Sequence, residues 1–332
     1  MRVPRAAESP RPLSCPGMSE SGASVDDVER AWQDTKLAQV LYHDWEADSY
    51  DEKWSISFDE RCISYARDRF AAVAGTAGWP YGTALEIGAG TGFFALNLRQ
   101  AGVIDEVHVT DISPGMVRAA KLNAARIGFE IGGRVADAEQ LPYDDAAFDL
   151  VLGHAVIHHI PNVELAFREM LRVLRPGGRI VICGEPTTYG DRIARTLSRA
   201  TWWTATRLTR TPLLANKWAR PQEDLDESSR AAALEAVVDL HTFQPRQLAA
   251  TVRRAGAGEV RTVTEELTAA WFGWPARTLE YAINPERLGW AWANFAYAGW
   301  RRLSALDRML SHVVPDELFY NVSVTGIRPP TT

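Results

Sequence analysis

Thr83-Ala-Leu-Glu-Ile-Gly-Ala-Gly-Thr-Gly-Phe-Phe94 sets how the rest of this 332-residue chain reads. Ala84 to Ile87 form an apolar run interrupted only by Glu86, and three alternating glycines follow at 88, 90 and 92. Beyond them Phe94 and Leu98 recur at helical spacing. A buried strand passing through a glycine turn into a helix fits that pattern. Glycine keeps side chains out of the way of a ligand that the backbone must approach closely. The helix that follows would point its amides and positive dipole end at that ligand. A dinucleotide fold would ask for G-x-G-x-x-G with an acid about 20 residues on. Here the third glycine comes one residue early, so the loop alone leaves a nicotinamide enzyme open.

The next segments narrow the choice. Val107–Asp111 is a second strand ending in an acid, suited to hold a ribose diol through charge-assisted hydrogen bonds. Ile112, Pro114 and Met116 are apolar residues suited to lie against a flat base. Gly133–Pro142 places Asp137 at the end of a third strand, Phe148–His154 is a fourth, and Leu174–Cys183 is a turn leading into a fifth. The strings L-E-I-G-A-G-T-G, D-I-S-P-G-M, D-A-E-Q-L-P, F-D-L-V-L-G-H-A-V-I-H-H-I-P and L-R-P-G-G occur in order between residues 83 and 186. In these the chain resembles the class I S-adenosylmethionine-dependent methyltransferases, within them the small-molecule group that includes the quinone-biosynthesis enzymes.

The resemblance implies an α/β fold: a Rossmann-like, seven-stranded, mostly parallel sheet with an antiparallel last strand and helices on both faces. It implies S-adenosyl-L-methionine as cofactor. Glu86, Gly88, Ala89, Gly90 and Gly92 would then take the amino-acid end of the donor, Asp111 with Ile112 and Met116 the ribose and base, Asp137 and Ala138 the adenine, and His154 would lie beside the donor. Tyr50, in a Tyr-Asp pair ahead of the fold, matches a segment that in the family closes over the cofactor; packing on the core is the alternative. His158 and His159 belong to the resembled motif. Either can face the acceptor as a general base, since histidine titrates near neutrality, or fix a loop by hydrogen bonding. His43, Asp44, Glu185 and His241 are further base candidates without rank. No metal site is expected, because companion carboxylates or thiols are missing at suitable spacing around the histidines.

Composition sets outer limits. Hydrophobic content of 46% and charge of 23% are ordinary for a globular chain, and a net charge of −6 argues against a general nucleic-acid partner. Cys15, Cys62 and Cys183 are odd in number and scattered, which favours a reducing, cytoplasmic setting. Residues 1–24 lack an apolar core and read as a disordered leader in which Met18 is an alternative start. No uncharged apolar run reaches the ~18 residues of a membrane span.

The remaining chain divides by pattern. Residues 25–78 read as a helical lid segment, with helices over 25–49 (after a Ser24 cap) and 60–78; residues 79–186 are the cofactor-binding core. Residues 187–235 are an insertion holding Trp202 and Trp203, and from Arg192 to Pro221 it carries seven basic residues and no acidic one. Residues 236–268 return to the core with a helix and a sixth strand, Glu259–Thr264. Residues 269–316 form a second, aromatic helical insertion in which Leu288, Ala291, Trp292 and Phe295 share helical spacing, and 317–332 carry the seventh strand and tail. The two insertions hold eight of the twelve tryptophans, whereas residues 80–186 hold none. An apolar cap with a basic rim suits a hydrophobic small-molecule acceptor and peripheral contact with an anionic membrane; a small core joining the insertions is the alternative. A cofactor-binding chain that has lost turnover is a further one.

Overall fold

The structure is a computed structural model that describes residues 30–31 and 33–330. The expected leader, the Ser24 cap, Cys15 and Trp32 lie outside the described residues. Seven strands form one sheet: β1 Tyr81–Ile87, β2 Ile104–Asp111, β3 Gly132–Val135, β4 Phe148–His154, β5 Leu174–Pro186, β6 Gly258–Glu265 and β7 Asn321–Ile327. Their order is β3-β2-β1-β4-β5-β7-β6, and β7 runs antiparallel to both its neighbours while the other pairs are parallel. The chain reverses direction across the sheet between β1 and β4, the point where open α/β sheets bind ligands beyond the strand ends.

Strand pleating explains the pattern of Thr83–Ile87. Leu85 and Ile87 face one side, with Phe167, Met170 and Leu171 of helix α6 (Val163–Val173) and Val252 of α10 (Pro245–Arg254). Ala84 faces the other, with Phe70 of α3 (Glu60–Ala74) and Phe94 and Leu98 of α4 (Phe93–Gln100). Both faces are covered, as a parallel sheet requires.

Local boundaries differ from expectation where caps decide them. Asp34 accepts the amides of Lys36 and Leu37 and so caps helix α1, Thr35–Glu46; a separate short helix, α2, spans Tyr50–Trp54. Helix α3 ends at Ala74 rather than at 78, closed by Gly75. Strand β3 stops at Val135, leaving Asp137 two residues beyond it in a bridge to Gln140. Leu318 closes a 3-10 turn before β7 instead of opening the strand. Helix α5, Pro114–Arg126, starts with proline at its first turn and Ser113 as cap, the arrangement proline favours.

The two insertions meet. The first holds α7 Thr188–Leu208, α8 Ala215–Trp218 and α9, which runs on to Val238 (Gln222–Val238); the second holds α11 Thr268–Ala282 and α12 Trp290–Leu310. Trp202, Trp218, Leu279 and Leu288 pack around Ala205, Ala282 and Ile283, which joins the insertions through a small core. Buried Asp307 of α12 accepts the amides of Leu267, Thr268 and Ala269, capping α11 from a neighbouring helix. Trp203 and Phe295 do not share that core and stay exposed. Cys62 and Cys183 are free and buried. Among the described residues no helix is long and apolar enough to cross a membrane.

Candidate active site

The glycine turn lies at the carboxyl end of β1. Gly88 and Gly90 have φ of 51° and 53°, left-handed values that favour glycine. A Cβ on Gly88 would stand 2.0 Å from Val156 Cγ2, so the turn presses directly on the segment after β4. Gly92, which precedes α4, offers no capping side chain; instead buried Glu86 reaches forward and accepts the Ala95 amide at 3.1 Å. Burial pushes the Glu86 carboxyl up to about 8. Ala89 donates its amide to Thr110 O at 2.9 Å, tying the turn to β2.

Asp111 ends β2 beside the turn. Its Oδ2 accepts the Gly90 amide and its Oδ1 the Ser113 amide, both at 2.9 Å. Burial raises the carboxyl to about 6, against the lowering effect of those amides. Each oxygen retains a second lone pair, so both can still accept from a diol. Ile112 keeps some surface, whereas Met116 is only 1% exposed and packs inside. Asp137 and Ala138 are half-buried. Asp137 is engaged from within the chain: Oδ1 accepts the Glu139 amide, and Oδ2 lies 2.5 Å from Lys36 Nζ on the lid.

Helices α1 and α2 lie against these elements. Tyr50 Cε1 would be 3.7 Å from a Cβ on Gly90, which places the ring over the glycine turn. Asp51 accepts from Asn123 Nδ2 at 2.9 Å, and Asp44 Oδ1 accepts from Ser113 and Gly115 at the start of α5. These surroundings fit the donor that the resemblance implies: a glycine turn, a buried carboxylate beside it, and Thr91 Oγ1, buried in the turn with no hydrogen-bond partner.

The histidines separate into two environments. His154 sits among Phe93, Phe94 and Tyr65, with Nε2 3.2 Å from the Tyr65 hydroxyl. Burial and the nearby Arg69 guanidinium push it down to about 3, so it is neutral. His158 and His159 form the 3-10 turn Ile157–His159. Glu185, fully buried on β5, gathers that turn: Oε1 accepts the Val156 and Ile157 amides, and Oε2 accepts His158 Nδ1–H at 2.8 Å and the His158 amide at 3.2 Å. Burial opposes charge on His158, yet the Glu185 and Asp239 carboxylates hold its pKa above the ordinary value. His159 donates Nδ1–H to Val238 O at 3.0 Å, and burial beside His158 pushes it down to about 4.

Four base candidates without rank in the sequence now have one. Glu185 is committed to the turn, Asp44 to capping α5, and His241 Nε2 to Ile160 O. His43 stacks edge-on against His159, and burial pushes it down to about 3. Sequence reasoning missed Asp239, whose Oδ1 lies 3.8 Å from His158 Nε2 and from His159 Nδ1. It also missed Gln39, whose Nε2 donates to His159 O and Val238 O. No linear signal marks either residue, since each is 80 or more positions from the histidine turn.

Known proteins share the sequence of the central segment and the fold. Residues 85–182 match the methyltransferase domain family. Demethylmenaquinone methyltransferase of Thermus thermophilus is 37% identical over 102 residues, 31% of this chain and 46% of that one. The 27-O-demethylrifamycin SV methyltransferase of Amycolatopsis mediterranei is 37% identical over 102 residues, 30% and 36% of the two chains. A ubiquinone/menaquinone biosynthesis C-methyltransferase of Cupriavidus necator is 29% identical over 167 residues, 50% and 66%. The chain thus spans less than half the length of the first two relatives. Among solved structures, Haemonchus contortus phosphoethanolamine N-methyltransferase 2 superposes with a TM-score of 0.50 at 14% identity, covering 87% of this chain and 60% of that one, which is a likeness of fold.

Proposed function

We propose, from the premise that this chain carries a class I S-adenosylmethionine-dependent methyltransferase domain, that it transfers the methyl group to a hydrophobic small molecule. One observation carries the reading: the Gly88–Gly92 turn, Asp111 and the His158–His159 turn meet at one sheet edge, with Tyr50 lying over Gly90. Glu86, Gly88, Ala89, Gly90 and Gly92 would hold the amino-acid end of the donor, Asp111 the ribose, and Ile112 with Asp137 and Ala138 the adenine, while Met116, packed inside, is left without a donor contact. His154 would border the donor as a neutral ring. When bound, S-adenosylmethionine supplies a methyl group already activated by the sulfonium charge.

The chain's own residues are left with positioning and exclusion of water. Tyr50, held near the turn by α2, would close over the donor. His158 and His159 would touch the acceptor and act on the group that takes the methyl, with Glu185 orienting His158. Lys36, now on Asp137 and Glu139, ties the lid to the adenine end.

The acceptor class rests on the cap. The relatives are named for a demethylmenaquinone and a demethylrifamycin. Within the insertions Leu213 is 93% exposed, Trp290 86% and Trp203 58%, with the Arg207 guanidinium 4.1 Å over the Trp203 ring. Exposed apolar side chains on a segment rich in arginine suit a lipid–water boundary and an acceptor drawn from it.

The test is release of S-adenosylhomocysteine when the chain is given S-adenosylmethionine with an organic extract of cells, compared with a water-soluble extract. Mass spectrometry should find the added methyl in the organic fraction. Turnover confined to the aqueous fraction would refute a hydrophobic acceptor, and failure to bind S-adenosylmethionine would refute methyl transfer.

A further inference from the structure

We propose that His158, His159 and Asp239 bind a divalent first-row transition-metal ion, of the zinc and cobalt class, beside the acceptor. Two imidazoles and one carboxylate are a donor set that such ions accept, with positions left open for a substrate oxygen. Among the described residues these three groups have donor atoms within 4.8 Å of one another. The 3.8 Å from Asp239 Oδ1 to each histidine nitrogen is too long for a hydrogen bond. Ligands about 2.0–2.2 Å from one ion stand roughly 3–4 Å apart, so small side-chain rotations would suffice.

Each ligand is oriented from behind. Glu185 accepts His158 Nδ1–H, which leaves the lone pair on Nε2, the nitrogen that faces Asp239. Arg195 donates to Asp239 Oδ2 at 3.1 Å, which leaves Oδ1 toward the histidines. Such outer partners fix the tautomer and direction of metal ligands. His159 must exchange its bond to Val238 O for the ion, moving its ring proton to Nε2; the Val238 carbonyl then remains 3.0 Å from Nδ1 as a neighbouring oxygen donor. Sequence spacing hid the set because Asp239 follows α9, in the chain that wraps the turn through the Leu240 and His241 amides to His158 O.

Position connects the ion to the chemistry. Val156, two residues before His158, is the side chain against Gly88 of the donor turn. An acceptor hydroxyl facing the ion would release its proton to a water at the site, and its oxygen lone pair would form the O–CH3 bond as the donor's S–CH3 bond breaks and S-adenosylhomocysteine leaves, so no protein base need hold that proton. The site presupposes the methyl-transfer reading, but binding can be measured without an acceptor.

The test is titration of Co2+ into the full chain after chelation, followed by visible absorption, with Zn2+ as competitor. One equivalent should bind saturably, and Asp239→Asn and His159→Gln should each weaken binding at least tenfold. Calorimetry with S-adenosylhomocysteine checks that each variant is folded. Absence of a saturable cobalt spectrum in a chain that binds S-adenosylhomocysteine would overturn the metal site alone, as would equal affinity in both folded variants. A wild type that does not bind S-adenosylhomocysteine would overturn the methyltransferase reading instead.

Discussion

Asp44 Oδ1 lies 2.6 Å from the amide nitrogen of Gly115, so a residue of α1 caps the helix that begins beside Asp111. The same oxygen accepts the Ser113 hydroxyl at 3.0 Å, and Ser113 in turn accepts the Met116 amide. A Cβ on Gly115 would stand 2.6 Å from that oxygen. Asp44→Ala should therefore cost about 0.5–2 kcal/mol, the usual range for a lost cap. Denaturant unfolding gives the number, and hydrogen exchange should show residues 35–54 opening more often. An unchanged midpoint together with unchanged exchange would mean the contact is incidental.

Donor affinity should depend on Asp111. Asp111→Ala removes the acceptor of two charge-assisted hydrogen bonds, each worth roughly 1.5–3 kcal/mol. At least a tenfold rise in the dissociation constant for S-adenosylmethionine is expected, with the circular dichroism spectrum retained. Normal binding by the variant would remove Asp111 from the site.

The same group sets a pH dependence. Its folded pKa, about 6, lies above the ordinary 3.8, so the free folded chain holds a proton that the unfolded chain releases. Its contribution to stability is thus present below about pH 4 and lost as pH rises through about 6. Donor binding has the opposite trend, because a ribose diol needs the ionised carboxylate. Affinity for S-adenosylhomocysteine should weaken as pH falls below about 6, and Asp111→Asn should flatten that part of the profile. A wild-type profile already flat from pH 5 to 7 would contradict this.

Closure of the lid predicts a local signature. Amides of residues 35–54 should gain exchange protection when S-adenosylhomocysteine binds, alongside those of 86–92. Tyr50→Ala should weaken binding severalfold through loss of the ring over Gly90. Protection limited to 86–92 would leave Tyr50 as packing.

Gly88 and Val156 should behave as a coupled pair. Gly88→Ala adds a Cβ within 2.0 Å of Val156 Cγ2 at a φ of 51°. Overpacking of about 1–3 kcal/mol and a left-handed penalty of about 1–2 kcal/mol are expected. Val156→Ala should relieve the first and not the second, so the double variant should be more stable than the sum of singles. Simple additivity in thermal melts would show that the contact does not carry the cost.

Membrane contact is tested by liposome sedimentation. Binding should increase with anionic lipid, weaken with salt, and fall on changing Arg199, Arg207 and Arg210 to Glu or Trp290 to Ser. Wild-type protein that ignores anionic vesicles would refute membrane contact through these side chains.

Much of the core was legible because it is local. Gly88 and Gly90 announce a turn that needs left-handed backbone, Asp111 ends an apolar run, and Phe148–His154 is a strand with the bounds read from its pattern. Ser113 with Pro114 marks a helix start within four residues. These features depend on backbone conformation and burial of neighbouring side chains, which residue type and spacing encode directly. The antiparallel last strand came from resemblance and was then seen in its pairing with β5 and β6.

Other features had no local signal. Lys36 reaches Asp137, Asp44 reaches Gly115, Glu185 gathers the histidine turn, and Asp239 comes to face His158 and His159. Each pair is separated by 27 to 101 positions, and the meeting depends on how the lid and the insertions pack onto the sheet. The same physics sorted the tryptophans: Trp202 entered the core between the insertions while Trp203, one residue on, points outward on the same helix. Pattern in the sequence determined that the glycine turn after β1 and the acid that ends β2 would lie at the carboxyl ends of neighbouring strands. Only tertiary packing decided which distant side chains orient them, because a side chain's partner is set by where the folded backbone carries it.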